Sequence, residues 1–249
     1  MAGLIPFRLD TVGLAAAVEQ IVHWCHDPSG RARIVVTPNI NYLARAFREP
    51  TFAGLLRSAD LSVCDGAGLQ RVSALAGQRL PGRVPGVDLV AALCARFSET
   101  KHSVLFVGAT PALIQRTART VWPTGVHPRF AWVCVDPHML HAARTPAVLA
   151  RYQCAVAILG LGRDSVEMAH RWRDAGVGKV LICVGGALDI LGGRTPRAPQ
   201  WIRGLGLEGL WRIWQEPQRL GPRCARDVAI VAYEVMRWAM RQKSQGSSV

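Results

Sequence analysis

Lysine is almost missing from this 249-residue chain, which has only Lys101, Lys179 and Lys243. Acids are scarce too: 17 stand against 30 basic residues, so arginine supplies nearly all of a net charge of +13. The guanidinium fork suits phosphate and carboxylate better than an ammonium does, and an excess of it points to an anionic partner: nucleotide, nucleic acid or acidic membrane surface. A GC-rich genome would give the same bias, so composition alone does not choose among these.

Paired cysteines are missing as well. Seven are scattered with no C-x-x-C, which excludes a disulfide framework and fits reduced thiols in the cytoplasm. Cys64 reads as a small buried hydrophobe rather than a nucleophile. No apolar run reaches the roughly 18 residues of a spanning helix. The opening MAGLIPFRLD is interrupted too early for a signal peptide, so any membrane contact is expected to be peripheral. The chain has no G-x-x-x-x-G-K-[ST], no D-x-D pair and no G-x-S-x-G. These absences exclude a P-loop, a paired-carboxylate metal–diphosphate bridge and a serine nucleophile elbow. His23 with His26, and His138 with His141, stand at helical spacing but join no larger cluster, so no metal site is expected.

What is present is apolar material in a regular order. Half the residues are hydrophobic, enough for a large core. Asp10-Thr11 reads as a helix cap before VGLAAAVEQIVHWC. The runs ARIVVTPN, ADLSVCDGAG, SVLFVGATP, VAILGLGRD and VLICVGGALD read as strands, separated by helical stretches. Strands of this kind alternating with helices predict an α/β fold, a mostly parallel Rossmann-like sheet with helices on both faces. Ligands of such sheets bind beyond the carboxyl ends of the strands. Thr37, Asn39, Asp65, Gly108, Gly160, Gly162, Gly185 and Gly186 fall there, as ordinary turns or together as a nucleotide-sized anion site. GLGRDS is G-x-G-x-x-S without the downstream acid of a dinucleotide fingerprint.

The tail differs in composition. Residues 194–249 hold ten basic residues, four acids and Trp201, Trp211, Trp214 and Trp238, half of all the tryptophans. Arginine with tryptophan fits a membrane interface. CARDVAIVAYEVMRWAMRQK reads as an amphipathic helix with Val228, Val231, Val235 and Trp238 on its apolar side and Asp227, Glu234, Arg237 and Arg241 on its charged side. Packing on its own domain is the alternative. The expected division is an α/β catalytic core, residues 1–195, and a helical docking appendage, residues 196–249.

TPN, ADLSVCDGAGL, GRVPGVDL, VLFVGA, GLG, VGGALDILGGRTPRAPQW and GLEGLWRIWQEPQRL occur in that order. From about Ile34 to about Arg226, the chain resembles the WecG/TagA/CpsF family of glycosyltransferases. The resemblance implies transfer of a sugar, typically N-acetylmannosamine, from UDP to a polyprenyl-diphosphate-linked acceptor sugar. It implies inversion without a metal or cofactor, at the inner face of the plasma membrane, in cell-surface polysaccharide synthesis. Asp65 matches the family's catalytic aspartate, Thr37 and Asn39 its pocket-lining pair, and Arg83 its donor arginine. Asp189 joins the glycine turns as a substrate contact. Arg212, Arg219, Arg223 and Arg226 are expected on the acceptor diphosphate, and Asp88 is a helix cap or a ligand contact. Two positions depart from the pattern: Val166 stands where a pocket glutamine is usual, which puts donor or acceptor identity in question, and Gly209 where an aromatic follows G-L-E. The anionic membrane surface is an expected partner, nucleic acid is not, and homo-oligomers stay open. Other readings are a different donor, a soluble acceptor, an inactive homologue, a nucleotide-dependent oxidoreductase, or a binding protein for nucleic acid or membrane.

Overall fold

The computed structural model describes residues 3–27, 31–100, 102–108, 110–123, 125, 130–133 and 145–246. His138 and His141 lie outside them. Among the described residues six strands form one sheet: β1 (Arg33–Val36), β2 (Leu61–Ser62), β3 (Val104–Val107), β4 (Phe130–Val133), β5 (Cys154–Leu159) and β6 (Gly178–Cys183). Their order is β2-β1-β6-β5-β3-β4, and every neighbouring pair is parallel. Five of the six were legible as apolar runs. The edge strand β4 was not, because its four residues carry too little periodicity.

The unbroken apolar runs follow from burial on both faces. Ile34, Val36, Leu105, Val107, Ala157, Leu159, Leu181 and Cys183 point into one core. Their neighbours Val35, Val104, Phe106, Val156, Ile158, Val180 and Ile182 point into the other. The first face is covered by α2 (Ile40–Arg48), α3 (Pro50–Arg57), α4 (Ala67–Leu75) and α8 (Ser165–Trp172). The second is covered by α1 (Leu14–Cys25), α5 (Gly86–Thr100), α6 (Pro111–Val121) and α9 (Ala187–Leu191). A short helix, α7 (Thr145–Ala150), precedes β5. Alternation with a period of two sends each strand's side chains to both cores, so the strand interiors are nearly all apolar, with Arg33 and Lys179 confined to the strand starts.

Asp10 does not cap α1, whose N-cap is Gly13. Asp10 instead extends the edge of the sheet: its N–H donates to the Ser62 carbonyl, and its carboxylate accepts from the Ser62 N–H, both at 2.8 Å.

The tail folds as α10 (Gln200–Gly204), α11 (Glu208–Gln215) and α12 (Pro217–Gly246). α12 starts before the Cys224 expected from sequence and runs through Pro222, which removes one helical N–H donor and crowds the carbonyl one turn earlier. It packs on α2. Its buried face is Asp227, Val231, Val235 and Trp238, with Ile230 beside them, while Val228 is 54% exposed. The expected faces are therefore partly exchanged: a carboxylate is inside and a valine is outside.

Candidate active site

Asp65 sits where β2 ends, and its backbone is held from both sides. The Asp65 N–H donates to the Pro38 carbonyl at 2.8 Å, and the Cys64 carbonyl accepts from the Val84 N–H at 2.8 Å. Gly66 follows with φ +107°, a conformation that suits glycine and turns the chain sharply into α4. The carboxylate is thus fixed at the carboxyl edge of the sheet rather than carried on a mobile turn.

Its electrostatics suit a base. Burial, followed by the nearby Glu208 carboxylate, pushes Asp65 up to about 7, against the opposing pull of Arg212, the Gly86 N–H at the start of α5, and Arg83. Loss of water disfavours the charged form, and a second carboxylate adds repulsion. A group poised near neutrality can take a proton and later release it. Its neighbour Cys64 is buried, with its thiol pushed up to about 12, which fits an inert core residue.

Thr37 and Asn39 leave β1 beside Asp65. Thr37 is buried and its hydroxyl donates to the Cys183 carbonyl at 3.0 Å, tying the end of β1 to the end of β6. Asn39 caps α2: its Oδ1 accepts from the N–H groups of Asn41 and Tyr42.

The glycines divide into two kinds. A side chain at Gly108 would meet the Gly160 carbonyl at 2.9 Å, and one at Gly160 would meet Leu188 at 2.4 Å, so these two are small because loops pack there. Gly162 and Gly185 have positive φ in adjoining turns. Gly186 lies against Arg212 and Asp189. Asp189 pairs with Arg194 at 3.3 Å.

The tail closes over this edge. Gly206, between α10 and α11, would place a Cβ 2.6 Å from that of Ala67, so the turn rests directly on the start of α4. Arg83 donates to the Arg203 carbonyl at 2.6 Å. Asp88 lies in the first turn of α5 and pairs with Arg197 at 2.6 Å, and Arg197 reaches Glu208 at 4.0 Å. A cleft of about 270 Å³ remains among Arg83, Asp88, Arg197, Arg203 and Glu208. Arg197, Arg203 and Arg212 each keep a buried Nε without a hydrogen-bond partner, an arrangement that invites an anion. Sequence reasoning passed over Glu208 and Arg197, although both lie in the quoted R-A-P and G-L-E blocks.

The four tail arginines do not share one place. Arg212 is at the Asp65 site, whereas Arg219 is exposed and paired with Glu216. Arg223 and Arg226 lie beside Asp227 on α12. Val166 is fully buried in the core, while the next residue, Glu167, pairs with Arg45. No group of three or more potential metal-ligating side chains occurs among the described residues. No helix among them is long and apolar enough to cross a membrane.

Residues 3–245 match the model of the glycosyl transferase WecG/TagA/CpsF family. A relative from Bacillus spizizenii, N-acetylglucosaminyldiphosphoundecaprenol N-acetyl-beta-D-mannosaminyltransferase, is 27% identical over 190 residues, covering 76% of this chain and 74% of its own.

Proposed function

Because the chain belongs to the glycosyl transferase WecG/TagA/CpsF family, we propose that it moves N-acetylmannosamine or a related hexose from a UDP-sugar to a sugar on a polyprenyl diphosphate. The product is a precursor of cell-surface polysaccharide. The observation that carries this reading is Asp65: a carboxylate fixed at the sheet edge, held near neutrality, and faced by Arg83 and by Arg212 of the tail.

In this mechanism Asp65 takes the proton of the acceptor hydroxyl. The hydroxyl oxygen bonds to the donor's anomeric carbon as the bond to the UDP oxygen breaks on the opposite face, which inverts the centre. UDP leaves with the bonding electrons, and the proton stays on Asp65. Arg83 and Arg212 offset charge on the departing diphosphate, the role a metal holds in other transferases. Thr37 and Asn39 stand at the sugar, with the turns at Gly162, Gly185 and Gly186, and Asp189, around the nucleotide. We assign the base and the nucleotide turns to residues 1–195, and docking to residues 196–249, which also bring Arg212 to the site.

The tail supports a peripheral seat on the inner membrane face. Trp201 and Trp214 are 68% and 73% exposed, and Leu205 and Leu210 are exposed with them. Apolar side chains of this size in water, beside arginines, fit a lipid headgroup boundary. The arginines of the tail then meet the acceptor's diphosphate. The test is transfer from a panel of UDP-sugars to N-acetylglucosamine on a polyprenyl diphosphate. One UDP-sugar is expected to support turnover that Asp65→Asn removes. Turnover that survives this change would take Asp65 out of the mechanism.

A further inference from the structure

Helix α11 reaches the Asp65 edge without a core of its own. None of its residues is fully buried, so apolar packing holds it weakly and polar ties decide where it stands. It nevertheless carries two of the charges that act on Asp65, Glu208 and Arg212. Four residues apart, they share one face of the helix. Whatever places this helix therefore places both charges at once.

Arg197 gathers those ties. The carbonyl of the residue before it, Pro196, accepts from Trp211 Nε1 at 3.4 Å and from Gln215 Nε2 at 3.1 Å, so the chain at Arg197 is anchored to α11. The Arg197 guanidinium reaches back to the core and donates to Asp88 at 2.6 Å, in the first turn of α5. Its Nε is buried without a hydrogen-bond partner and stands 4.0 Å from Glu208, in the first turn of α11. One side chain thus joins the N-terminal turns of two helices. α5 matters here because it begins at Gly86, whose N–H donates to the Asp65 carboxylate. The side chains of Arg197 and Asp88 are 27% and 32% exposed. A pair this open adds little to global stability, and its loss should leave the fold intact.

We propose that Arg197 is a positioning residue for the base: by clamping the first turn of α11 to the first turn of α5, it sets where Glu208 and Arg212 stand around the Asp65 carboxylate. The proposal rests on the transferase reading and deepens it. Asp65 is also faced by Arg83, from the loop before α5, by Tyr42 of α2 and by its neighbour Cys64. Burial holds the last two neutral, whereas Arg83 and the Gly86 N–H belong to the core and stay in place. If α11 swings away, Asp65 regains water and loses Glu208, and both changes lower its pKa. It also loses Arg212, which raises it. Burial and Glu208 each outweigh Arg212, so the net movement is downward from about 7. Arg212 would at the same time leave the departing diphosphate.

The test compares Arg197→Gln, Asp88→Asn and the double variant with the parent, all as the full chain. The titration of the Asp65 carboxyl is followed by carbon-13 NMR, with Asp65→Asn to identify its signal, and the pH–rate profile of transfer is recorded beside it. Each single variant should lower the midpoint by about one pH unit. The double variant should go no further than either, because both changes cut one bridge. In the Arg197→Gln background, Glu208→Gln should add no further shift. At the high-pH plateau kcat should fall about tenfold or more, with KM for the donor within about twofold. The isosteric Asp88→Asn keeps the test open should Arg197→Gln fold poorly. An unmoved midpoint in well-folded variants would leave Arg197 a surface tie and overturn the proposal. A midpoint that rises would overturn it too, since Glu208 would then have stayed in place without its counter-ion. Should the NMR midpoint fall as expected while the parent transfers no sugar from any UDP-sugar, the transferase reading fails and the positioning of Asp65 stands.

Discussion

Asp65 and Asp227 are two carboxylates withdrawn from water to different ends. Asp65 hangs on a strand end whose backbone is bonded on both sides, with a second carboxylate, Glu208, close enough to push its pKa up. Asp227 sits in mid-helix between three arginines that it does not hydrogen-bond. A fixed carboxylate with acid for company becomes a base, and one ringed by cations becomes their counter-ion. Residue type is shared, Asp227 is the more deeply buried of the two, and the neighbours decide the chemistry.

The sharpest way to break the comparison is Asp65→Asn. Turnover should fall by roughly 10²–10⁴ with UDP affinity nearly unchanged, as measured by steady-state transfer and calorimetry. The same variant carries a stability signature. The folded state of the parent holds a proton on Asp65 up to about 7, whereas the unfolded chain releases it near the ordinary carboxylate range. The parent thus loses stability as pH rises between those values. Asp65→Asn should melt with the parent near pH 4 and be more stable at pH 8, by on the order of 3 kcal/mol. A parallel pair of melting curves would remove burial strain from the account.

Val166→Gln asks whether that position touches a substrate. Sequence suggested a pocket position; the structure puts Val166 wholly inside the core and leaves Glu167 to face Arg45. The glutamine should therefore destabilise the fold by about 2–4 kcal/mol, because a buried amide there finds no partner. A stable variant with altered donor preference would restore the pocket reading.

Glu208→Gln should move the rising limb of the pH–rate profile down from about 7, because it removes a negative neighbour from Asp65. Arg212→Gln should move it up. An unmoved midpoint would separate Glu208 from the base. A smaller effect is expected from Asp227→Asn, about 1 kcal/mol of lost stability at low salt, fading at high salt as the freed arginine repulsion is screened. The smallest is EDTA: transfer should continue at an unchanged rate if Arg83 and Arg212 carry the diphosphate charge.

Much of the frame was open to sequence reading, for a local reason. Strands buried on both faces read as solid apolar runs, and their ends announce themselves by Thr37-Pro38-Asn39, Asp65-Gly66 and the glycine pairs. The tail was only half legible. A helical wheel ranks residues by polarity and so put Asp227 outside and Val228 inside. Packing against α2 reversed them, because Arg48 offered Asp227 a partner that no count along α12 could reveal.

The sequence by itself determined the parallel sheet, the place of Asp65 at its edge, and the arginine-rich tail, because each rests on residues adjacent in the chain. The tertiary structure alone decided which charges meet. Glu208 reaches Asp65 across more than a hundred residues, Arg83 binds the Arg203 carbonyl, and Arg48 shares Asp227 with two arginines of the last helix. Charge acts through space and falls off with distance rather than with sequence separation, so a base, a closed tail and a cationic cluster emerge only when the helices are laid against one another.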